Sequence, residues 1–368
     1  MTSSKRVTLR DIAAEANVSK ATVSLALKKH PRISTATRER IVQVATRLGY
    51  RPDPELSKLM AAMKRQPSGD HGTLAFIRSG TTLDWEPMEA FFYEEVSKGA
   101  ESYGYRVQPY WIFEPRETPK RVNSTMWNRG IDGLVIPMIH PDRFNLGIRT
   151  LPIEWEKFSV VEIADTVREP RLSGIRHNHF GGMLRTLSEL EALGYRRMGL
   201  YMAADVELRT HHRWTAGYLL WKSMRGLHDD LPTFFPRDYD AKALVAWVER
   251  NRIDAVISPG VEVFEILRGQ GISVPGELGY ATLHQWGEGS ESVTGINQNM
   301  QAQARIAVDM LVGLIHRKTR GAPKNPILAT DPGYWCHGET TCAPKHRHTV
   351  KPLDDEPLGF GSKDPTSL

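Results

Sequence analysis

Residues 8–29, TLRDIAAEANVSKATVSLALKK, predict two short helices joined by a tight turn. Thr8 is a suitable N-cap for the first helix, and Asp11 follows at the spacing of a capping box. The Asn-Val-Ser triplet at 17–19 favours a turn, and Ser19 can cap the second helix. Apolar side chains recur at helical spacing: Ile12, Ala13, Ala16, Val23, Ala26 and Leu27. This pattern is typical of a helix-turn-helix, whose second helix enters the DNA major groove, although a purely structural helix pair would show it too.

The next segment extends the pattern. A third helix is predicted from its N-cap Ser34, with Gly49 as the stop residue. The chain then reads LGYRPDPELSKLM at 48–60. Together with VTLRDIA at 7–13, NVS at 17–19, ATVS at 21–24 and TRERI at 37–41, this run resembles the head of the lactose and galactose repressor family, or LacI type.

Charge is concentrated in the same region. Residues 1–65 hold 14 Lys and Arg against 5 Asp and Glu, a net charge of +9, whereas the whole chain carries +5. A basic head favours contact with DNA phosphates, because neutralising them releases counterions. The rest of the chain is mildly acidic, so we expect it not to bind DNA itself.

The remaining composition restricts the other function classes. Two cysteines, Cys336 and Cys342, do not make a disulfide framework, and they suit a reducing cytoplasm. Their spacing with the nearby histidines matches no structural zinc site, so we expect no metal and no other cofactor. The N-terminus lacks an apolar signal region and no long apolar run occurs, so neither secretion nor membrane association is expected.

The body predicts a two-lobed α/β fold. Apolar strands alternate with helices in two sets, the second beginning near Asn178 and ending with a long helix at 302–316. We therefore expect four parts: a helix-turn-helix head at 1–50, a hinge helix and linker at 51–70, a body at 71–345 and a disordered tail at 346–368. The segments LGYRRMGLY, IDAVIS, GISVP and AVDML resemble the regulatory domain of the same family, which is built like a type I periplasmic sugar-binding protein. The segments TAGYLLW, GINQN and GYWCHGET, together with the hinge RPDPELSKLM, resemble a divergent branch of this family.

The resemblance implies a homodimer that binds a palindromic double-stranded operator. By position in the family motif, Lys20, Ala21 and Leu25 would read base edges. Residues at the positions that hold the DNA backbone are Thr8, Ser19, Thr22, Ser24, Lys28, Ser34 and Thr37. Leu59 occupies the place where paired hinge helices insert a leucine into the minor groove.

The resemblance also implies a small-molecule effector, a carbohydrate, in the cleft between the lobes. Family members commonly bind sugar hydroxyls with carboxylates, and this chain departs from that pattern. His179 and His284 stand where carboxylates are usual, and Arg213 is displaced by one residue from the usual arginine. Trp286, just after a strand, offers a flat face for a sugar ring, whereas Trp221 in mid-helix suits the core.

An enzyme is disfavoured by the motifs. The chain contains no GxGxxG after a strand, no P-loop and no GxSxG elbow. His211-His212 could supply a general base, but no nucleophile is indicated near it. The alternative that stays open is a cytoplasmic sugar-binding protein or metabolic enzyme with a structural helical head, against which the basic head argues.

Overall fold

The computed structural model describes residues 7–27, 33–48, 50, 72–78, 85–112, 118–139, 151–227 and 233–342. The chain divides into two compact units, Met1–Asp70 and His71–Leu368, which we call the head and the body. Some predictions lie outside the described residues, namely Lys28, Gly49, the hinge with Leu59, and the tail at 346–368.

The head consists of three helices around a small apolar core. They are α1 (Leu9–Glu15), α2 (Lys20–Leu27) and α3 (Thr35–Arg47). The predicted caps are present: the Thr8 backbone N–H donates to the Asp11 carboxylate at 2.7 Å. The Thr37 N–H likewise donates to the Ser34 hydroxyl at 3.3 Å. Fully buried side chains from all three helices meet in the core: Ile12, Val23, Ala26 and Ile41.

Lobe 1 of the body is a six-stranded parallel sheet in the order β10-β5-β4-β3-β1-β2. Its strands are β1 (Thr73–Arg78), β2 (Arg106–Trp111), β3 (Ile131–Ile136), β4 (Ser159–Ile163), β5 (Gly174–His177) and β10 (Leu328–Asp331). Its helices are α4 (Pro87–Glu101), α5 (Pro119–Asn128) and α11 (Met300–Arg317). The sheet is apolar on both faces because helices cover both of them, as parallel sheets require.

Lobe 2 is a five-stranded sheet in the order β11-β9-β8-β7-β6, with only β11 antiparallel to its neighbour among the pairings described. Its strands are β6 (Met198–Leu200), β7 (Ala255–Ser258), β8 (Gly279–Thr282), β9 (Gly295–Asn297) and β11 (Tyr334–Cys336). Its helices are α6 (His179–Leu193), α7 (Ala204–Arg209), α8 (Arg213–Met224), α9 (Ala241–Asn251) and α10 (Glu262–Gly269). Trp221 is buried in its core, as predicted.

The assignment of the long C-terminal helix to the second set is wrong. Helix α11 packs on lobe 1, where Ala307, Val308 and Leu311 join the core of β1 and β4. Gly133 in β3 permits this approach, since a Cβ there would lie 2.9 Å from Ile315 and 3.0 Å from Leu311. The chain therefore crosses between the lobes after β5, after β9 and after β10. Helical periodicity identifies the helix but does not say which sheet it covers.

No helix in the described part of the chain is both long enough and apolar enough to span a bilayer.

Candidate functional site

The N-terminus of α2 presents polar side chains on the surface of the head. The Thr22 N–H donates to the Ser19 hydroxyl at 3.1 Å, so Ser19 caps α2 as Ser34 caps α3. Val23 and Ala26 are buried against the other helices, and Lys20 in the first turn of α2 is exposed. Helix N-termini carry partial positive charge and unpaired N–H groups, which favour phosphate oxygens.

The predicted DNA-contacting residues divide by exposure. Thr8, Ser19, Lys20 and Ser34 are exposed, whereas the others whose side chains are described are half-buried: Thr22, Ser24, Leu25 and Thr37. The backbone of Ala21 lies in α2, and its side chain is outside what the structure describes. The head therefore brings the three capped helix N-termini and Lys20 to its surface.

A second cluster of polar groups lies in the body where the two lobes meet. It is built from the carboxyl ends of parallel strands and from two helix starts. Asp165 follows β4, and His284 follows β8, whereas Arg213 begins α8. Ligands of open α/β sheets usually bind at such strand ends.

One carboxylate joins the two lobes. Oδ2 of Asp165 accepts hydrogen bonds at 2.5 Å from Arg176 on β5 and at 2.5 Å from Arg213 on α8. All three side chains are largely buried, with 11% of Asp165 and about a fifth of each arginine exposed (19% and 20%). Asp165 has φ of +59°, and Ala164 before it has φ of +87°. Such conformations are unfavourable for residues with a Cβ and persist only where surrounding contacts hold them.

Three histidines surround this ion-paired group. The rings of His177 and His179 have centroids 5.3 Å apart, and His179 lies edge-on to Trp214 at 4.7 Å. Burial lowers the pKa of His177 to about 4 and that of His284 to about 3. Burial, the neighbouring histidines and the two arginines also hold the pKa of His179 well below its usual value. The three imidazoles are therefore neutral at pH 7.

Several buried nitrogen atoms of this cluster have no hydrogen-bond partner within the described structure. They are Nε of Arg176, both ring nitrogens of His177, Nδ1 of His179, Nε1 of Trp214 and Nε2 of His284. Buried polar groups are normally satisfied, so these atoms indicate where a bound molecule would supply hydrogen-bonding groups.

Further contacts between the lobes lie beside the cluster. The Arg168 guanidinium of lobe 1 hydrogen-bonds to the His211 ring of lobe 2 at 2.7 Å and donates to the Leu208 carbonyl at 3.1 Å. The other His211 ring nitrogen contacts the Asp165 carbonyl at 3.0 Å. These contacts assign the predicted general-base candidate His211 to the connection between lobes. Across the described residues no group of three or more His, Cys, Asp or Glu is arranged to hold a metal ion.

Comparison with known proteins gives the family. Residues 8–53 match the profile described as "Bacterial regulatory proteins, lacI family", and residues 187–341 match "Periplasmic binding protein-like domain". The chain belongs to the LacI family. It is 27% identical over 216 residues to the maltose regulon regulatory protein MalI of Escherichia coli strain K12, covering 53% of this chain and 59% of MalI. It is 25% identical over 207 residues to a sucrose operon repressor of Escherichia coli, covering 56% and 58%.

The fold of this LacI-family chain also occurs in solved structures. A lac repressor dimer bound to operator and the anti-inducer ONPF aligns with a TM-score of 0.53 at 15% identity, covering 92% of this chain and 100% of that chain. A LacI transcriptional regulator from a Rhodococcus species aligns with a TM-score of 0.55 at 15% identity, covering 74% and 98%. At this identity the likeness establishes the fold alone. The chain spans a little over half the length of the curated relatives that it matches.

The four residues predicted for the effector lie around the cluster of this LacI-family body. His179 and Arg213 are in it directly, and His284 is close enough to lower the pKa of His179. Trp286 stacks nearly parallel to His284, with ring centroids 6.2 Å apart. The Trp286 ring also contacts Phe91 of lobe 1, with ring centroids 6.5 Å apart, so Trp286 connects the lobes. Sequence reasoning missed Asp165, Arg176 and His177, although all three stand at the carboxyl ends of strands, where polar residues could have been sought.

Proposed function

We propose that this chain is a sequence-specific DNA-binding transcriptional regulator, acting as a repressor in the cytoplasm. The observation that carries the proposal is the three-helix head, whose residues 8–53 match the lacI-family profile. The net charge of +9 in residues 1–65 supports it, because phosphate contacts supply much of the affinity of DNA-binding proteins. The relatives that match are regulators or repressors by name, which argues against an enzyme.

The proposal includes a homodimer on a palindromic operator. A single helix-turn-helix reads only one half-site, and two-fold symmetric proteins read two half-sites about one helical turn apart. The parts would be a head at 1–50, a hinge and linker at 51–70 with Leu59 entering the minor groove, and a body at 71–345 that dimerises and binds the effector. Residues 346–368 would form a disordered tail.

The effector would be a small molecule held where the lobes meet, and we propose a sugar or sugar derivative. The regulators of a maltose regulon and a sucrose operon among the relatives support that class. Asp165, Arg176, Arg213 and the buried histidines connect both lobes at this place, so a ligand there would change how the lobes are held together. A sugar-binding protein with a structural helical head is the second candidate, and loss of DNA binding would favour it.

Lys20 provides the test of base reading. We expect Lys20→Ala to lose discrimination at one base pair of an operator selected from random duplexes, by about 5- to 150-fold, since a good base contact contributes about 1–3 kcal/mol. Binding to single-base variants should be measured by gel shift at two salt concentrations. Arg40→Ala, an exposed residue of α3, is the control and should keep the discrimination. Equal weakening on all duplexes, with a smaller salt slope, would make Lys20 a phosphate contact.

Arg213 and Trp286 provide the test of the effector site. We expect Arg213→Ala and Trp286→Ala each to abolish the response of operator binding to an effector found by thermal-shift screening of sugars and their derivatives. A ligand at a hundred times its Kd stabilises a protein by about 2.7 kcal/mol, which a melting curve resolves readily. The control is Arg225→Ala, because Arg225 pairs with Glu191 at the far end of α8. If both variants keep the response, the effector binds elsewhere.

A further inference from the structure

The interlobe cluster is rich in cationic groups. Four arginines lie in or beside it: Arg168, Arg176, Arg209 and Arg213. The acidic groups nearest the cluster are Asp165, Asp331 beside His177, Glu162 next to Asp165, and Glu207, which pairs with His212. The three buried histidines are neutral at pH 7 and add no negative charge. At the centre of the cluster Arg176 and Arg213 share the single carboxylate of Asp165, which leaves one positive charge uncompensated there.

Asp165 and Asp331 already accept hydrogen bonds. Oδ2 of Asp165 serves two arginines at once. Asp331 accepts a hydrogen bond from the Asn299 side chain at 3.1 Å and another from the Gly333 N–H at 2.7 Å. Neutral sugar hydroxyls are commonly bound by carboxylates that can accept their hydrogen bonds. In the described cluster Oδ2 of Asp165 and both oxygens of Asp331 already accept hydrogen bonds, so fewer acceptors remain for such hydroxyls.

Most of the unsatisfied atoms can instead donate hydrogen bonds, although the neutral His177 ring, with neither nitrogen paired, offers one donor and one acceptor. Nε of Arg176 and Nε1 of Trp214 are N–H donors, and the neutral imidazoles of His179 and His284 can donate in one tautomer. His179 retains only 9% of its exposure, so its Nδ1 cannot be satisfied by bulk water. One buried carboxylate oxygen also lacks a partner, Oε2 of Glu207, but that side chain already accepts from His212 at 2.9 Å.

We propose that the interlobe cluster binds a small organic anion, with a carboxylate or phosphate group held by Arg213 and Arg176. Arginine is suited to this role because its planar fork matches the geometry of both groups. His179, His284 and the Trp214 indole then donate to the remaining oxygens of the ligand. The inference rests on the proposed function in one respect, that this cluster is the effector site.

Asp165 acts in the free protein as an internal counter-ion. It connects Arg176 of lobe 1 to Arg213 of lobe 2, and an entering anion competes with it for the same guanidinium groups. Binding therefore alters a contact between the lobes directly. A neutral ligand has no charge with which to compete for these arginines, so the site discriminates by charge.

The experiment compares acidic and neutral molecules of the same skeleton on the full chain. The probes are sodium D-gluconate against D-sorbitol, sodium D-galacturonate against D-galactose, and D-glucose 6-phosphate against D-glucose. Sodium chloride keeps the ionic strength equal, because surface charge effects depend on salt. Binding is followed by melting temperature and by tryptophan fluorescence, to which Trp214 and Trp286 contribute. We expect at least one acid to bind ten times more tightly than its neutral counterpart, and the carboxylate and phosphate arms identify which group is preferred.

The variants locate the binding. Arg213→Gln should weaken the acid by at least tenfold, and Arg213→Lys, which keeps the charge, should retain a preference for the acid over its neutral counterpart. Arg225→Gln, at the C-cap of the same helix and paired with Glu191, should bind as the wild type does. Melting curves without ligand show whether each variant is folded. If Arg213→Gln is not folded, Arg213→Lys replaces it in the binding test.

Three results would overturn the inference. They are no acid binding above the salt control, a neutral molecule binding as tightly as its acid, and unchanged acid binding in a folded Arg213→Gln. Operator binding by the wild type is measured in the same preparations. Its absence would count against the proposed regulator while leaving the anion result intact, whereas a neutral effector with normal operator binding would overturn the anion inference alone.

Discussion

Acidification should destabilise the body steeply, with its free energy of unfolding falling by about 2.5 kcal/mol per pH unit between pH 6 and 5. The cause is the group of buried histidines. The pKa is lowered to about 4 for His177 and about 3 for His284, and it lies well below the usual value for His179. In the unfolded chain each binds a proton near pH 6.5, whereas in the folded body it does not. Their stabilising contribution is therefore present above pH 6.5 and is lost as the pH falls towards the folded values.

One buried carboxyl opposes this trend. Burial raises the pKa of Glu162 on β4 to about 7, against the pull of hydrogen bonds from the Thr166 and Val167 N–H groups. The folded body therefore holds one more proton than the unfolded chain between pH 7 and about 4.5, so acidification gains stability from Glu162. On unfolding, the three histidines take up about three protons and Glu162 releases about one, so the net uptake is about two protons. Each proton changes the free energy of unfolding by about 1.36 kcal/mol per pH unit.

Urea unfolding at pH 7.5, 6.0 and 5.0, followed by tryptophan fluorescence, measures the slope. His284→Gln should lower the net proton uptake by about one, and the slope should fall by about 1.4 kcal/mol per pH unit. His316→Gln removes an exposed histidine at the end of α11 and should leave the slope unchanged. A stability that does not change between pH 7.5 and 5.0 would show that the folded and unfolded chains bind equal numbers of protons, which contradicts three unprotonated histidines in the folded body.

The sequence was sufficient for the head because its determinants are local. Thr8 with Asp11, Ser19 with Thr22 and Ser34 with Thr37 each form hydrogen bonds within three residues along the chain. Apolar periodicity likewise predicted the alternation of strands and helices in the body, although it missed β9, β10, β11 and α7. It could not assign α11 to lobe 1, since a buried helix face has the same periodicity whichever sheet it covers.

The cluster between the lobes was only partly accessible to sequence reasoning. His179 and Arg213 could be named from the family pattern. Asp165 and Arg176 come together with Arg213 through the pairing of β4 with β5 and through the crossover into α6. Their partners lie 11 and 48 residues apart along the chain, and no local spacing encodes such a contact. Position at a strand end was the one usable indication, and it is common to many polar residues.

Truncation of the head core should abolish operator binding. Ile41 of α3 is fully buried among Ile12, Val23 and Ala26. Replacing a buried isoleucine with alanine costs about 2–5 kcal/mol, through lost burial and the cavity that remains. A unit as small as the head buries too little surface to have much more stability than that, since small domains are only marginally stable. We therefore expect Ile41→Ala to lower operator affinity by at least a hundredfold, because only the folded head can place α2 in the major groove.

The neighbouring residue supplies the matched control. Val42 on the same helix is 44% exposed, so Val42→Ala removes a similar side chain without opening a cavity. Alanine also has the higher helix propensity, by a few tenths of a kcal/mol, so α3 should be unharmed. Gel shifts on the selected operator compare the two variants, and the melting transition of the body, which should be the same in both, verifies that the defect lies in the head. If Ile41→Ala binds operator as tightly as Val42→Ala, the packing of Ile41 does not limit the head, and the small core described here is not what holds α2 in position to read DNA.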